Sequence, residues 1–286
     1  MAVAQPRAIQ LSRPELRDIS RQVLSWSLLL LIMLPTIFIF YWMITLSLKT
    51  QVEAMAFPPV FIPTQITFDG YMEVFARSAF VKYTVNSLII AIGSTGLGLI
   101  LGVPAAFSIA RWRLHRLALV VLVTRMTPGI SYLVPWFIMF RSLGLTDTYI
   151  TLILTHLIVG LPIIIWLMIS YFEDLSAELY DASLVDGCSI YGTLWRVALP
   201  LVKPGIVVAA ILAFIFSWNN FLFAVVLAGP KTRTLPVAVY NIMSYEEIIW
   251  NRLAAAAVLI TLPVLILTFL IQRHIVSGLT FGAVKG

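Results

Sequence analysis

The chain has 286 residues, of which 60% are hydrophobic and only 11% charged, and its mean hydropathy is +0.98. A water-soluble domain of this length needs far more charge to cover its surface, so composition excludes a soluble globular protein and predicts an integral membrane protein. The net charge of +6 is dispersed around apolar runs, which argues against a nucleic-acid partner, and the single cysteine, Cys188, excludes an internal disulfide and a cysteine-based metal site.

Residues 1–23 are polar, carry Arg7, Arg13, Arg17 and Arg21, and read as a cytoplasmic N-terminal segment. From Leu24 to Leu48 runs an apolar stretch long enough to cross a hydrocarbon core of roughly 30 Å. It is longer than a signal-peptide core and no small-residue cleavage site follows it, so it predicts an uncleaved first span. Residues 49–82 read as a polar loop, with Pro58, Pro59 and Pro63 as turn formers. Further spans are predicted at 84–110, 117–140, 148–171, 204–228 and 253–271, with a C-terminal tail over 272–286. The prediction is an all-α membrane protein with six transmembrane helices and no second domain.

Basic residues alternate between the two sides. Arg7, Arg13, Arg17, Arg21, Arg111, Arg113, Arg116, Arg196, Lys203, Arg273 and Lys285 fall on the side of the N-terminus; Lys49, Arg77, Lys82, Arg141, Lys231, Arg233 and Arg252 fall on the other. The excess on the first side predicts cytoplasmic termini and a cytoplasmic segment 172–200.

Within the third predicted span, Arg125 lies roughly 12 Å deep at about 1.5 Å per residue and should face protein or a watery cavity. It is a candidate for the translocation path, meeting an anionic group, or a structural ion-pair or helix-end contact; Tyr132 follows it on the same span. His156 in the fourth span reads as a hydrogen-bond partner for a neighbouring helix. In the fifth, Trp218-Asn219-Asn220 combines an indole with two amides, the chemistry that binds sugar faces and hydroxyls, with interhelical hydrogen bonding as the alternative. Pro104, Pro128, Pro135, Pro162 and Pro263 interrupt spans and can serve as kinks.

Between the fourth and fifth spans lies a polar island, residues 171–200, with five of the chain's thirteen acids: Glu173, Asp174, Glu178, Asp181 and Asp186. Asp174, Glu178 and Asp181 are spaced i, i+4, i+7, which on one helix puts them on one face. Ser176 is a candidate N-cap, Gly187 a helix end, and Ser189 the cap of a second short helix that stops before Leu199-Pro200. Two such short helices are marginal alone in water, so the hairpin predicts a partner surface. An acidic face by itself is otherwise a solvated face.

The order Asp181-Ala182-Ser183, three residues, Gly187, nine residues, Val197-Ala198-Leu199-Pro200 resembles the EAA loop of ABC importer permeases, a Glu-Ala-Ala, Gly, Ile-x-Leu-Pro pattern at the same spacing. Asp181 stands where the family has Glu, Ser183 where it has the second Ala, and Val197 where it has Ile. In that family the loop is the coupling helix seated in a groove of the cytoplasmic ATPase subunit, which implies coupling roles for Asp174, Glu178, Asp181, Ala182, Ser183, Gly187, Leu199 and Pro200.

From about residue 45 onward the chain resembles the maltose-type (MalG-like) carbohydrate permeases. The resemblance rests on Asn86-Ser-Leu-Ile-Ile-Ala, Gly102-Val-Pro-Ala-Ala, Ala110-Arg-Trp-Arg, Leu143-Gly-Leu-Thr-Asp-Thr, Ser217-Trp-Asn, Thr234-Leu-Pro-Val and the ending Gly278–Gly286. It implies a type I ABC importer permease fold in a bacterial inner membrane. The implied partners are a second, homologous permease, two ATPase subunits that bind ATP and Mg, an extracytoplasmic solute-binding protein, and lipid. The implied cargo is a sugar or sugar derivative, with Trp218, Asn219, Asn220, Arg125 and Tyr132 on its path and Lys285 and Gly286 near the ATPase. No Walker loop, nucleophile elbow or His-Glu-x-x-His occurs, so the chain is read as a transport subunit without cofactor, and not an enzyme. The alternative class, a gradient-driven secondary transporter of a small polar solute, would place an acid inside a span, and none of the six predicted spans contains one.

Overall fold

A computed structural model describes residues 13–77, 79–244 and 248–282, so Lys285 and Gly286 lie outside the described residues. Those residues form helices and connections, with no strand among them.

The first helix, α1 (Arg13–Ser47), begins well before the predicted span, because the flanking segment is itself rich in helix formers such as Glu15, Leu16 and Arg17. From Arg21 to Ile39 its apolar side chains are exposed, and it touches the rest of the chain chiefly along the last helix. The predicted loop 49–82 contains two short helices, α2 (Gln51–Ala54) and α3 (Asp69–Arg77); the Thr50 hydroxyl caps α2 by accepting from Glu53 N–H.

The long α4 (Phe80–Arg111) packs along α7 (Tyr149–Glu173) as the central pair of the fold. Close approach is possible because glycines of α4 face branched side chains. A Cβ on Gly93, Gly98 or Gly102 would come within 2.8, 2.6 and 2.9 Å of Ile153, Ile164 and Ile164.

Between them, the predicted third span is not one helix. It is α5 (His115–Met126) and α6 (Ile130–Ser142), bent by 88°. Pro128 forces Thr127 into an extended conformation (ψ 125°), which no α-helix can pass through.

After α7 come α8 (Ala177–Val185), α9 (Ile190–Gly192), a π-helical segment Thr193–Ala198 and α10 (Leu199–Leu201), the last three forming one continuous rod over Ile190–Leu201. The chain bends by 80° at Val202 into α11 (Lys203–Trp218), since Pro204 lacks an N–H and its ring would collide with the carbonyl four residues back. The predicted fifth span, 204–228, is interrupted at Asn219–Phe221 and resumes as α12 (Leu222–Leu227). α13 (Leu235–Ser244) and α14 (Trp250–Gly282) complete the chain, α14 running past the predicted end of the sixth span into the tail.

Among the described residues, four helices are long and apolar enough to cross a membrane, and two further bent pairs bring the candidates to six. The largest core lies between α4, α7 and α11, and it includes Phe172, Tyr180, Leu194 and Ala198 from the polar island, with Val202 just beyond it. That inclusion fixes the island to the membrane helices.

Candidate coupling hairpin and membrane cleft

The hairpin's tip is built by local rules. Gly187 has φ +83°, its N–H donates to Leu184 C=O (3.0 Å), and Cys188 N–H donates to Ser183 C=O (3.0 Å), the two bonds of a Schellman ending. Ser189 then caps the second helix, its hydroxyl accepting from Gly192 N–H at 3.1 Å. Ser176 occupies the N-cap position of α8 with extended backbone, but its hydroxyl accepts no capping bond.

The two arms are tied by the buried Ser183 and Thr193 hydroxyls, 2.8 Å apart. The second arm runs through Leu199-Pro200, contrary to the predicted stop; the wide π turn just ahead leaves room for a proline ring that a regular α-helix would exclude.

The shared acidic face is also corrected. Asp174 ends α7, its N–H bonded to Ser170 C=O (3.1 Å), and the chain turns before α8 begins, so only Glu178 and Asp181 share a helix. Asp174 instead borders a groove of about 760 Å³ with Arg111, Arg113, His115 and Glu173. Glu178 and Ala182 are exposed, whereas Ser183 is buried.

Asp181 has a partner in its own chain. Its Oδ1 accepts from the Arg111 guanidinium at 2.9 Å, and that guanidinium also lies 5.2 Å from the Tyr180 ring centre. Tyr180 is buried, donates to Phe172 C=O at 3.1 Å and packs edge-on against Phe107. Burial raises its phenol pKa above the usual value, and the nearby Arg111 partly offsets this. Away from this contact Val185, Tyr191 and Trp195 are exposed, Val185 by 87%, while Leu184 and Ile190, also exposed, border a pocket with Phe107, Arg111 and Trp112. A polar hairpin with an apolar outer ridge and a buried inner face has the form of a rigid docking element.

Within the predicted spans, Arg125 and Tyr132 do come together. They line a cleft of about 510 Å³ with Thr124, Thr127, Pro162 and Phe216. Arg125 is exposed, sits in the last turn of α5 where a cation suits the helix dipole, and lies over Phe216 at 5.4 Å. Tyr132 stacks on Trp136 at 5.2 Å.

Trp218, Asn219 and Asn220 do not act as a group. Trp218 is only 1% exposed, stacks on Phe214 and donates its indole N–H to Ile260 C=O (3.0 Å), so a sugar-stacking role finds no open face in this conformation. Asn220 accepts from Phe223 N–H (3.2 Å) at the start of α12, and Asn219 is the exposed member. His156 bonds a neighbouring helix as predicted, its Nδ1 2.8 Å from Ser217 Oγ, which also accepts from Ser94 at 2.9 Å.

Sequence reasoning missed a polar clamp at the end opposite the hairpin. Asp147 accepts from the backbone N–H of Gly229, Lys231 and Thr232 and from the Thr232 hydroxyl, at 2.8–3.1 Å. Burial alone would raise its pKa, but these hydrogen bonds outweigh it and pull the carboxyl below its usual value. Asn86 donates to the carbonyls of Lys231 and Arg233 and accepts from Tyr149, while Ser87 accepts from Leu235 N–H. Three separate motifs, at 86–87, 143–148 and 234–237, are thus one assembly. The only sequence signal was their joint presence.

Residues 98–281, which include the whole hairpin, match the family described as the binding-protein-dependent transport system inner membrane component. The chain belongs to this family. The permease is 36% identical over 251 residues to the trehalose transport system permease protein SugB of Mycobacterium tuberculosis, covering 86% of this chain and 91% of that protein. It is 34% identical over 249 residues to the sulfoquinovosyl glycerol transport system permease protein SmoH of Agrobacterium fabrum, covering 86% and 87%.

Its fold is similar to that of a chain in the crystal structure of a bacterial ABC transporter involved in the import of the acidic polysaccharide alginate. The TM-score is 0.72 at 23% identity, with 93% of this permease and 99% of that chain covered. A chain of the MetNI methionine ABC transporter shares the fold with a TM-score of 0.55 at 21% identity, over 68% and 93% of the two. The permease therefore has the type I ABC importer fold and is a transport subunit, not an enzyme.

Proposed function

We propose that this permease is one of two different membrane subunits of an ATP-driven importer for a sugar or sugar derivative. The other components are two cytoplasmic ATPase subunits, which bind ATP and Mg, and an extracytoplasmic solute-binding protein. Both termini and the 172–200 hairpin face the cytoplasm, and the assembly sits in a bacterial inner membrane. Relatives named for transport of trehalose, trehalose/maltose, diacetylchitobiose and sulfoquinovosyl glycerol support a glycan cargo while spanning neutral and anionic sugars. They give no support to a gradient-driven carrier.

One observation carries the coupling role: the hairpin is buried on its inner side within the core of α4, α7 and α11 and apolar on its outer side. Closure of the ATPase pair, transmitted to such an element, must move the helices and not merely bend a loop. Switching a population from 1:99 to 99:1 requires about 5.5 kcal/mol of differential binding, which a flexible link would dissipate.

In this reading Glu178, Asp181 and Ala182 lie on the exposed surface of α8, with Asp174 on the adjoining groove. Ser183 and Gly187 hold the hairpin's shape, and Leu199-Pro200 carry the movement to the bend at Val202. Arg125, Tyr132 and Asn219 are the path residues whose side chains remain accessible.

The test is a charge placed on the outer ridge. Trp195→Asp with Val185→Asp should strip the ATPase subunit from the purified complex and abolish binding-protein-stimulated hydrolysis of MgATP while leaving the permease pair assembled. Full retention of the ATPase would remove the hairpin from the interface. Uptake that persists without ATP would instead point to a gradient-driven carrier.

A further inference from the structure

The sequence predicts a polar connection after α1, yet no residue from Ala54 to Phe68 is charged. In the structure Phe57, Phe61, Ile62 and Ile66 are 54–95% exposed. So much exposed apolar surface in one short stretch marks a contact with something other than water.

Its hydrogen bonds fix where this stretch lies. The Tyr41 hydroxyl donates to Phe61 C=O at 3.0 Å, the Lys49 ammonium donates to Val60 C=O, and the Phe61 ring meets Trp42 edge-on at 5.7 Å. The loop therefore folds back beside α1 and then returns to Leu48, whose carbonyl accepts from Thr67 N–H at 2.9 Å. If the apolar run 24–48 is centred on a hydrocarbon core of roughly 30 Å, Trp42 lies about 9 Å from the mid-plane and about 6 Å inside the boundary. Tyr and Trp are also the residues that gather at headgroup level. Val60 and Phe61, alongside them, sit at the boundary and not above it.

The bonding is what that depth demands. Irregular backbone next to lipid must find its partners within the protein, and the carbonyls of Val60 and Phe61 have Lys49 and Tyr41. Lys49 is buried, its ammonium 4.2 Å from the Trp42 ring centre. Glu53 also turns to the loop, accepting from Thr64 N–H at 3.2 Å and from the Thr64 hydroxyl. Polar groups close inward while large apolar side chains stay exposed, the reverse of a loop facing water.

We propose that residues 55–66 form an interfacial element at the boundary between headgroups and acyl chains. Phe57, Phe61, Ile62 and Ile66 contact phospholipid, and Lys49 and Tyr41 hold the loop down against α1. The leaflet is the one where α1 ends, which is the outer one in the orientation proposed above. Depth favours lipid over a soluble partner, and a neighbouring membrane subunit is an outcome that the test separates.

The single cysteine makes the test direct. In the full complex carrying Cys188→Ser, Phe57→Cys or Ile62→Cys is spin-labelled and reconstituted in nanodiscs of phosphatidylcholine and phosphatidylglycerol. Power-saturation EPR then compares collisions with oxygen, which concentrates among acyl chains, and with a water-soluble nickel chelate. Oxygen should exceed nickel at least about threefold at both positions. Lys49→Met, which leaves the Val60 carbonyl unpartnered, should lower that ratio at least about twofold. Ile66→Cys replaces either labelled variant that does not assemble, and Tyr41→Phe replaces Lys49→Met on the same ground.

A ratio in favour of nickel overturns the proposal. So does low collision with both reagents, which means that protein covers the loop: a neighbouring membrane subunit if it holds without the binding protein, the binding protein if it appears only on its addition. A ratio unmoved by Lys49→Met or Tyr41→Phe overturns the anchoring. None of these outcomes depends on cargo, ATP or the direction of transport, so failure here leaves the importer reading untouched.

Discussion

Asp147 Oδ1 accepts both the backbone N–H of Thr232 at 2.9 Å and its hydroxyl at 2.8 Å, joining two connections separated by 85 residues of sequence. Asp147 itself has φ +58°, so the turn that presents the carboxylate is one that asparagine and aspartate tolerate better than most residues. Its folded pKa lies below the ordinary aspartate value, so it contributes stability that is fully present above the ordinary value and is lost as pH falls through the lower folded one.

Thermal unfolding of the detergent-solubilised complex should therefore show no contribution from this group to any change between pH 7 and about 5, and a loss below about 4. Asp147→Asn keeps the backbone preference and removes the charge. It should cost about 1–3 kcal/mol at pH 7 and flatten the fall on the acid side, and Asp147→Ala should cost more because it adds backbone strain. An Asn variant with wild-type stability at pH 7 would show that the clamp does not depend on the charge.

At the hairpin tip the limiting factor is conformation, not space. No heavy atom lies within 4 Å of a Cβ built on Gly187, but φ is +83°. Gly187→Ala should cost about 1–2 kcal/mol locally, and Gly187→Asn less. Amide hydrogen exchange reads this directly: the Cys188 N–H, held by Ser183 C=O, should exchange roughly tenfold faster in the alanine variant. Unchanged exchange would mean that the Schellman bonds are not limited by this glycine.

Local devices of this kind were the ones legible in the sequence. Gly187 and Ser189 act where their side-chain chemistry predicted, because a left-handed residue and a hydroxyl cap involve only neighbours three or four positions away. The i, i+4, i+7 spacing of Asp174, Glu178 and Asp181 misled, since spacing implies a shared face only if one helix contains all three, and α7 ends at Glu173. The number of apolar runs was readable, but the 88° break at Thr127–Gly129 was not separable from the tolerated prolines elsewhere. Trp218 shows the same limit: an indole beside amides fits a sugar or another helix equally well, and only packing against Phe214 and Ile260 decides. The Asp147 clamp and the Arg111–Asp181 pair join residues far apart in the chain, which no periodicity encodes.

Ser217 links α4, α7 and α11, bonded to Ser94 on one side and His156 Nδ1 on the other. His156 is buried and its Nε2 has no partner among the described residues, so Ser217→Ala would leave the imidazole without any. That should cost roughly 1–2 kcal/mol, within the range for hydrogen bonds between membrane helices. Ser94→Ala should cost less, because its hydroxyl also has the Ala91 carbonyl. Combining Ser217→Ala with His156→Leu should cost less than the sum of the two, as expected when both remove one interaction. Strict additivity in unfolding midpoints would show that the 2.8 Å contact is not a coupled pair.

Gly205 fixes the junction between the hairpin and the membrane helices. It lies three residues beyond the 80° bend, and a Cβ there would come within 2.5 Å of Tyr171 Cγ, in the last two turns of α7. A ring carbon at that distance cannot be passed by small adjustments, so Gly205→Ala must either turn the Tyr171 ring or push α11 away from α7. Overpacking of this kind should lower stability by about 1–3 kcal/mol. If the α7–α11 distance sets the hairpin's angle, ATPase retention should fall with it. Tyr171→Ala in the same chain opens the space and should recover both, whereas Tyr171→Phe, which keeps the ring, should recover neither. Recovery of stability without recovery of ATPase binding would separate the packing of this junction from its part in coupling.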